Sequence, residues 1–571
     1  MIFTKKKNNF IKGVISLIIS QIIVKIFGMI YSLYLVNKDG FGDSGNAIYI
    51  SGYQIFALFL TISSIGVPNA ISKLVSEKLA CNDIKGADKI FKVAFTEFAI
   101  LGFLGTAILF IGADYIANTL LQISEAKFTL MFLSPAIFFV SISSVIEGYF
   151  NGRREIYNTA KAQSIEQLFK MVLTIAIVEL IGNISGKNTE YMAAGANLAT
   201  SLATMLSVMY LCFLLMKTRK NMKFKNFSLF KTESVYKILI NIAKVSIPLA
   251  IGSLLLALNK NIDAFTVVRL LKPVLGEELA QIKYGILTSK IDVLLTVPLS
   301  FNMAFSVALI PEIASAKINN RNNEIKSKIS FSLLISILIA VPSMIGLYAY
   351  SDEILNLLFP KANNGAELLR LAVFAIPFEM LVQTINGALQ GLGKIKITTL
   401  ALLCGCIVKL IGNMVFLQNG NLLEKGAIIS TICCYTTIFI IVWINLKRNC
   451  DVEVKISKFI VKPLIAGTMM LFFSKIIYFL LIKNGIYEKY TIIISILSAV
   501  IVYGISVVML KIFSKEEIKM LPNGEKIAKL IYWNVWKYKK TMIYITKILQ
   551  KYKKCWKIRE KIKIIQKKEG F

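Results

Sequence analysis

The chain has 571 residues, of which 56% are hydrophobic and 17% charged, and its mean hydropathy is +0.65. A soluble protein of this length would need far more polar surface, so the composition excludes that class. The net charge of +33 does not indicate nucleic-acid binding, because the basic residues lie in short loops between apolar runs and in the C-terminal segment. The chain has no histidine, which excludes a histidine metal site or proton relay.

Fourteen apolar segments of roughly 20 residues predict transmembrane helices. They lie at about 13–36, 46–68, 90–112, 128–148, 162–182, 191–216, 238–258, 285–310, 329–350, 366–389, 397–417, 425–446, 460–482 and 490–513. A backbone that faces lipid must satisfy its own hydrogen bonds, and no β-barrel alternation is present. The predicted fold class is therefore an all-α polytopic membrane protein with about fourteen transmembrane helices.

The distribution of positive charge between the loops predicts the topology. If the N-terminus is cytoplasmic, the cytoplasmic loops hold 29 lysines and arginines and the opposite loops hold 11, leaving out the C-terminal segment. Basic residues are retained on the cytoplasmic side of a membrane. We therefore expect a multi-pass protein of the cytoplasmic (inner) membrane, with both termini in the cytoplasm.

An internal repeat indicates that the chain contains two related halves. Gly148 and Gly152, at the end of the fourth span, recur as Gly387 and Gly391 at the end of the tenth, with an offset of 239. The offset pairs even-numbered spans with even-numbered spans, so the repeats are parallel. Chance similarity between two apolar segments is the alternative explanation, and the same glycine spacing also permits close helix packing. The repeat predicts two pseudo-symmetric six-helix lobes and two extra helices.

This repeat defines the predicted domains. A second pairing, of Pro68 with Pro311, has an offset of 243, and we expect both prolines to act as hinges or fixed kinks. The domains are an N-lobe at 1–225, a C-lobe at 226–450, two further spans at 451–513 and a basic cytoplasmic tail at 514–571. Because the tail combines basic and aromatic residues, we expect it to contact anionic lipid and not nucleic acid.

Ionisable side chains within spans are the candidates for function. Each costs on the order of 2.5–3.5 kcal/mol on insertion, so such groups usually face a cavity or a partner. Lys25, central in the first span, is the best candidate for binding an anion in a central cavity. Snorkelling to the interface or pairing with an acid is the alternative role. The remaining candidates for cavity cations are Lys170, Lys290 and Arg269.

Other charged residues have simpler interpretations. Glu166 and Lys170 are spaced i, i+4, which favours a structural ion pair. Lys290 lies near the start of a long span, where a lysine can snorkel to the interface. Lys260, Asp263 and Arg269 are predicted to follow the seventh span.

Signatures of catalysis are missing from the sequence. It has no Walker A motif, and the lack of histidine rules out a Ser–His or Cys–His nucleophile. The eight cysteines show no CxxC spacing, so neither disulfides nor metal ligands are expected. We therefore predict no catalytic residues, no metal site, no cofactor and no enzymatic activity.

Four segments carry a resemblance to a known family. They are 25–31 (KIFGMIY), 64–73 (SIGVPNAISK), 147–152 (EGYFNG) and 308–313 (ALIPEI). Together they resemble the lipid II flippase, stage V sporulation protein B and polysaccharide biosynthesis group. That group belongs to the multidrug/oligosaccharidyl-lipid/polysaccharide exporter superfamily, and the resemblance covers roughly residues 10–510.

The resemblance implies a mechanism and a cargo. Members have two lobes around a central cavity, work by alternating access and carry undecaprenyl-linked sugars, often lipid II. Lys25 matches a position that carries an arginine in the lipid II branch, whereas Tyr31 stands where another basic residue can occur. Asp263 and Asn413 fall near positions that bind a cation in the C-lobe of some members. The resemblance thus raises Na⁺ coupling, H⁺ coupling or the membrane potential as the energy source.

We therefore predict a flippase for an undecaprenyl-pyrophosphate-linked cell-wall or polysaccharide precursor, with the cell-wall synthesis machinery as a further partner. Two alternatives remain at this stage. One is a multidrug/cation antiporter of the same superfamily, and the other is a non-transporting membrane component of wall synthesis.

Overall fold

The structure, a computed structural model, describes residues 20, 23–61, 66–220, 234–450, 452 and 455–519. Within these ranges the chain is helical and has no β-strand. Helices are expected because a membrane leaves the backbone no other hydrogen-bond partners than its own. The chain forms two compact units, Met1–Glu453 and Val454–Phe571.

The segment predicted as the N-lobe contains eight helices within its described residues. They are α1 (Ile23–Asn37), α2 (Gly42–Thr61), α3 (Val67–Ala80), α4 (Ile84–Tyr115, continued by a π-helical turn at Ile116–Leu121), α5 (Ala126–Leu133), α6 (Pro135–Gly152), α7 (Ile156–Ile184) and α8 (Thr189–Lys220). Pro68 lies in the first turn of α3, where the missing N–H breaks no helical hydrogen bond. The Asp83 side chain caps α4 by accepting a hydrogen bond from the Gly86 amide over 2.8 Å.

The segment predicted as the C-lobe contains nine helices within its described residues. They are α9 (Val235–Leu275), α10 (Glu277–Ile286, followed by a π-helical turn at Leu287–Ile291), α11 (Asp292–Ile318), α12 (Asn322–Ala349), α13 (Ser351–Leu358), α14 (Ala366–Ala372), α15 (Ala375–Gly391), α16 (Ile395–Phe416) and α17 (Lys425–Asn449). Pro311 lies within α11. The first turns of α9 pack against the N-lobe, because Ile238 and Ile242 belong to the same buried cluster as residues of α3, α4 and α8.

The second unit begins with a π-helical turn at Ser457–Val461 and continues with α18 (Lys462–Lys483), α19 (Glu488–Met509) and α20 (Lys515–Lys519). The Lys458 ammonium donates to both carboxylate oxygens of Glu517, over 2.5 and 2.6 Å. Burial pushes the pKa of Glu517 upward, but the hydrogen bonds from Lys458 and Ser514 and the charge of Lys458 together outweigh burial and hold the pKa below its ordinary value. Residues 520–571, most of the predicted basic tail, lie outside the described residues.

The all-α polytopic fold predicted from the sequence is confirmed. Ten described helices are long and apolar enough to cross a membrane, or eleven if α14 and α15, bent by 41°, form one span. The count of fourteen stays a prediction. One boundary was wrong, since the predicted span at 46–68 covers most of α2 and then reaches into the first turn of α3, which is a separate helix.

The predicted end of the seventh span was also wrong. Helix α9 continues to Leu275, so Asp263 and Arg269 lie inside it and not after it. The polar residues in its second half hide this continuation from a hydropathy profile. They are tolerated because several contact polar groups of other helices, as Asn261 does by donating to the Gln54 carbonyl over 3.2 Å.

The repeated glycines make the same kind of contact in both lobes. A Cβ added to Gly148 would lie 2.9 Å from the Pro68 backbone, so α6 packs tightly on α3. A Cβ added to Gly387 would lie 2.6 Å from the Ser306 carbonyl oxygen, so α15 packs equally tightly on α11. The neighbouring glycines of each pair, Gly152 and Gly391, approach the same partner helices. Only glycine permits backbones to come this close.

Candidate functional site

A seam joins the lobes at the corner between α1 and α2. The Asn37 amide donates to the Leu358 carbonyl over 2.8 Å, and the Lys361 ammonium binds the Asp39 carboxylate over 2.7 Å. The Lys361 hydrogen bond and charge hold the pKa of Asp39 below its ordinary value. The lobes are therefore held together at this end by several polar contacts.

A buried ion pair lies deeper in the same seam. The Lys290 ammonium donates to Asp43 Oδ2 over 2.8 Å and to Asn364 Oδ1 over 2.5 Å. Lys290 has no exposed surface, and Asp43 is 8% exposed. Lys290 therefore neither snorkels nor faces open space in this structure. It links the turn after α10 to the first turn of α2, across the two lobes.

Helix α9 shows where the lobes separate. One stripe of this helix contains Leu256, Lys260, Ala264, Val267 and Leu271, which recur at three- and four-residue spacing. Leu256 and Lys260 are exposed, whereas the three later residues have no exposed surface. The stripe therefore passes from an open region into the closed seam region.

The open part of the stripe faces the space between the lobes. On one side of it, Asn259 contacts Cys434, and Asp263 contacts Lys409, both within the C-lobe. On the other side, Asn261 donates to the Gln54 carbonyl of the N-lobe over 3.2 Å. Lys260 lies between these two edges of α9, so its side chain faces an interlobe cleft.

Lys25 of α1 faces the same cleft from the N-lobe. It is exposed and close enough to Lys260 for the two positive charges to repel each other. Lys25 lies about 100° around α1 from the exposed apolar residue Ile26 and about 140° from Ile30, so it does not share their face. Two cationic side chains from different lobes thus converge on one region.

Carboxylates of the C-lobe lie near Lys260 without pairing with it. Asp292 and Glu379 both interact electrostatically with Lys260. No ion pair joins Lys260 or Lys25 to an acid within the described ranges. The Glu379 carboxylate instead accepts a hydrogen bond from Tyr435 over 3.1 Å. The cleft therefore presents cations flanked by acids on the C-lobe side only.

Lys170, a second predicted cavity cation, is enclosed by aromatic rings. Its ammonium lies 4.3 Å from the centroid of the Tyr53 ring and 5.2 Å from that of Tyr31, and the residue is 4% exposed. The expected ion pair with Glu166 is not formed within the described residues, although the two charges still interact electrostatically. Lys170 therefore stabilises the packing of α7 against α1 and α2 through cation–π contacts.

Arg269, the fourth predicted cavity cation, lies on a different face of α9. It is nine residues from Lys260, which places it about 180° around the helix. Arg269 is exposed there, away from the side on which Lys260 meets the cleft. The structure therefore brings together only one of the four predicted cavity cations, Lys25, with a residue that was not among them.

The two residues of the predicted cation site are in direct contact. Asn413 donates through Nδ2 to Asp263 Oδ1 over 3.0 Å. The Lys409 ammonium occupies the other carboxylate oxygen, Oδ2, at 2.5 Å. No group of three or more metal-ligating side chains of the kind His, Cys, Asp or Glu is found among the described residues.

Sequence reasoning missed three of these residues. Lys260 was predicted to follow a span, because the polar residues around it hide the continuation of α9 from a hydropathy profile. Asp43 and Lys409 pair with residues 247 and 146 positions away. Contacts at such separations leave no local pattern in a single sequence.

The chain is similar in sequence to two protein families and to several known proteins. The sequence profile described as "Polysaccharide biosynthesis protein" matches residues 10–317, and the profile described as "MatE" matches residues 248–415. The chain is 24% identical to "Stage V sporulation protein B" of Bacillus subtilis over 520 residues, covering 90% of this chain and 98% of that protein. It is also 24% identical to "Lipid II flippase MurJ" of Bacillus subtilis over 465 residues, covering 79% and 84% respectively.

Solved structures share the fold. "Lipid II flippase MurJ, inward closed conformation" aligns with a TM-score of 0.65 at 15% identity, covering 87% of this chain and 99% of that one. An inward-facing multidrug resistance MATE family transporter aligns with a TM-score of 0.63 at 13% identity, covering 76% and 98%. These alignments establish the arrangement of helices.

Proposed function

Because the chain belongs to the polysaccharide biosynthesis protein family, we propose that it is a flippase for a lipid-linked glycan precursor. The cargo class is a polyprenyl-diphosphate-linked sugar, moved across the cytoplasmic membrane without covalent change. Relatives named as a lipid II flippase and a stage V sporulation protein support this assignment. The absence of catalytic motifs agrees with a transporter that makes and breaks no bonds.

The observation that carries the proposal is the convergence of Lys25 and Lys260. A diphosphate presents two adjacent anionic groups, and two ammonium groups from different lobes match this charge. Repulsion between the lysines is relieved when an anion lies between them. A bound diphosphate would therefore draw the two lobes together around itself.

The closed seam supports alternating access as the mode of movement. The loop charges predict that the seam, at residues 37–43 and 358–364, lies at the extracytoplasmic side. In this arrangement the cleft admits a headgroup from the cytoplasm. Opening of the seam would then release it outward, and Asp292 and Glu379 would take over as electrostatic partners of Lys260.

The membrane potential is the energy source that this cargo favours. Moving a negative charge outward across a membrane that is negative inside is favourable by about 2.3 kcal/mol per charge per 100 mV. A diphosphate headgroup carries such charge, whereas the glycan is largely neutral. We propose that the potential drives the outward step without a further cofactor.

Reconstitution provides the test. Purified protein is placed in vesicles that contain a fluorescent undecaprenyl-diphosphate disaccharide, and translocation is measured as loss of protection from a membrane-impermeant quencher. We expect translocation by the wild-type chain and at least a tenfold lower rate in K25Q and K260Q. K237Q, altered at an exposed lysine near the start of α9, is the matched control and should retain the wild-type rate. No translocation by folded wild-type protein would refute the proposal.

Depletion in cells identifies the cargo. The lipid-linked intermediate that accumulates on the cytoplasmic side is expected to be lipid II or a spore-cortex or polysaccharide precursor.

One observation favours a second function. The MatE match over residues 248–415 covers most of the C-lobe, where Asp292 and Glu379 lie near the cleft. These acids would suit a cationic drug. Lys25 and Lys260, the two cationic side chains of the same cleft, would repel a cationic drug and so oppose this function. A drug-susceptibility panel distinguishes a multidrug exporter from a flippase.

A further inference from the structure

The C-lobe contains a partly buried carboxylate whose counterion is part of the chain. Asp263, on α9, has a side chain that is 21% exposed, and Lys409, on α16, has a side chain that is 4% exposed. The Lys409 ammonium lies 2.5 Å from Asp263 Oδ2, and the Asn413 amide donates to Oδ1 over 3.0 Å. Both carboxylate oxygens are therefore occupied by N–H donors.

These residues do not fit a metal cation at this position. A cation requires oxygen ligands, but Asn413 turns its nitrogen toward the carboxylate. The same nitrogen donates to Thr266 Oγ1 over 2.8 Å, and Thr266 in turn donates its own proton to the Ile262 carbonyl over 2.5 Å. Reversing the Asn413 amide would place its oxygen against a carboxylate and a hydroxyl that already donates elsewhere, so the observed orientation is the favourable one.

We propose that the Lys409 ammonium is the resident cation of this site, so that the chain neither needs nor binds a metal ion there. A charge held largely away from water without a counterion is destabilising, and the ion pair between Lys409 and Asp263 removes that cost for both groups. A tethered cation stays with the protein when the lobes move. The site therefore cannot couple transport to an ion gradient through binding and release of a metal ion.

Removing Lys409 creates the site that the lysine fills. A serine at position 409 leaves the Asp263 carboxylate without its ammonium and leaves space beside it. With the ammonium gone, the Asn413 amide would rotate, because its Oδ1 atom is buried without a hydrogen-bond partner among the described residues and would gain one at a cation beside Asp263. Thr266 Oγ1, which now accepts from the same amide, lies close by. Carboxylate, amide and hydroxyl oxygens together offer the ligands that a hard monovalent cation prefers. The K409S variant should therefore acquire a Na⁺ site.

Thermal unfolding of the purified full-length protein tests the proposal without any transport step, so its failure is separate from failure of the flippase assignment. The midpoint Tm is measured in NaCl and in choline chloride at equal ionic strength. We expect equal Tm values in the two salts for the wild-type chain and for K409R. For K409S in choline chloride we expect a Tm below that of the wild-type chain. Adding Na⁺ should then raise the Tm of K409S saturably by roughly 2–4 °C.

The double variant D263N/K409S, which lacks both charges, should show no Na⁺ response. A saturable stabilisation of wild-type protein by Na⁺ that is lost in D263N would overturn the proposal. The proposal would also be overturned if folded K409S gave the same Tm in both salts. A third contradicting outcome would be that K409S fails to fold in either salt while D263N/K409S folds in both.

Discussion

Lys290 of the C-lobe and Asp43 of the N-lobe form an ion pair over 2.8 Å inside the seam, where the lysine has no exposed surface. Because each charge compensates the other away from water, the pair is stable only while the lobes meet at this end. Asp43 Oδ1 has no hydrogen-bond partner in the part of the chain described, so Lys290 and Asn364 supply the main compensation. Opening the seam must expose both charged groups to solvent together.

Neutralising one member of this pair should destabilise the closed seam more than neutralising both. K290M leaves the Asp43 carboxylate buried without a counterion, at a cost of about 3–5 kcal/mol. D43N/K290M removes both charges and should recover most of the lost stability. The measurement is Tm of the purified variants, with K361M at the exposed end of the seam as the control. Equal losses in the single and double variants would contradict a buried pair.

The glycine contacts between helices should be sensitive to a single methyl group. In G387A the new Cβ would meet the Ser306 carbonyl at 2.6 Å, so α15 must move away from α11. We expect a loss of about 1–3 kcal/mol in unfolding free energy. G346A is the control, because nothing lies within 4 Å of a Cβ at that position of α12. Unfolding in denaturant checks both variants, and equal stability of the two would exclude the tight contact.

The ring of Tyr53 should matter more than its hydroxyl. Y53F keeps the aromatic face that lies 4.3 Å from the Lys170 ammonium, whereas Y53L removes it. Cation–π contacts in desolvated sites contribute about 2 kcal/mol, so Y53L should lower the unfolding free energy by about that amount. Y53F should stay close to the wild-type value. If Y53F lost as much stability as Y53L, the hydroxyl and not the ring would be the important group.

The outer ion pair of the seam should respond to acid and not to mildly alkaline conditions. The Lys361 hydrogen bond and charge lower the pKa of Asp39 below its ordinary value of 3.8, so folding favours the ionised carboxylate. The stability contributed by the Asp39–Lys361 pair is therefore complete above the pKa that Asp39 has in the unfolded chain. It disappears as the pH falls through the pKa of Asp39 in the folded protein. The difference in Tm between wild type and D39N should be constant from pH 8 to pH 5 and should shrink below about pH 4.

Salt provides a second check on the Asp39 pair. Both side chains are more than half exposed, so added salt should also reduce the difference between wild type and D39N. A difference that grew on acidification would contradict the assigned direction of the pKa change.

The sequence was sufficient to predict the membrane fold because each span needs only a local run of apolar residues. Lys25 was identifiable in the same way, since a single lysine in an apolar run is conspicuous. The partners of charged residues were not identifiable. Lys290 was expected to snorkel or face a cavity, but Asp43, 247 positions earlier, holds it in the seam.

The partner of Asp263, Lys409, was likewise not identifiable from the sequence. The sequence identified Asp263 and Asn413, yet the residue that binds the other oxygen of the Asp263 carboxylate is Lys409, one turn earlier on α16 than Asn413. An i, i+4 spacing on one helix places Lys409 and Asn413 on the same face. Only the position of α9 beside that face shows that both side chains bind the one carboxylate of Asp263.

The transition along α9 from exposed Lys260 to fully buried Ala264 has a consequence for cargo size. The two residues are one turn apart, so the cleft ends about 6 Å beyond the lysine along the helix. In the flippase proposed above, a diphosphate bound at Lys260 would therefore lie within about one helical turn of the seam. A glycan attached to that diphosphate would either extend back toward the entrance of the cleft or push the lobes apart.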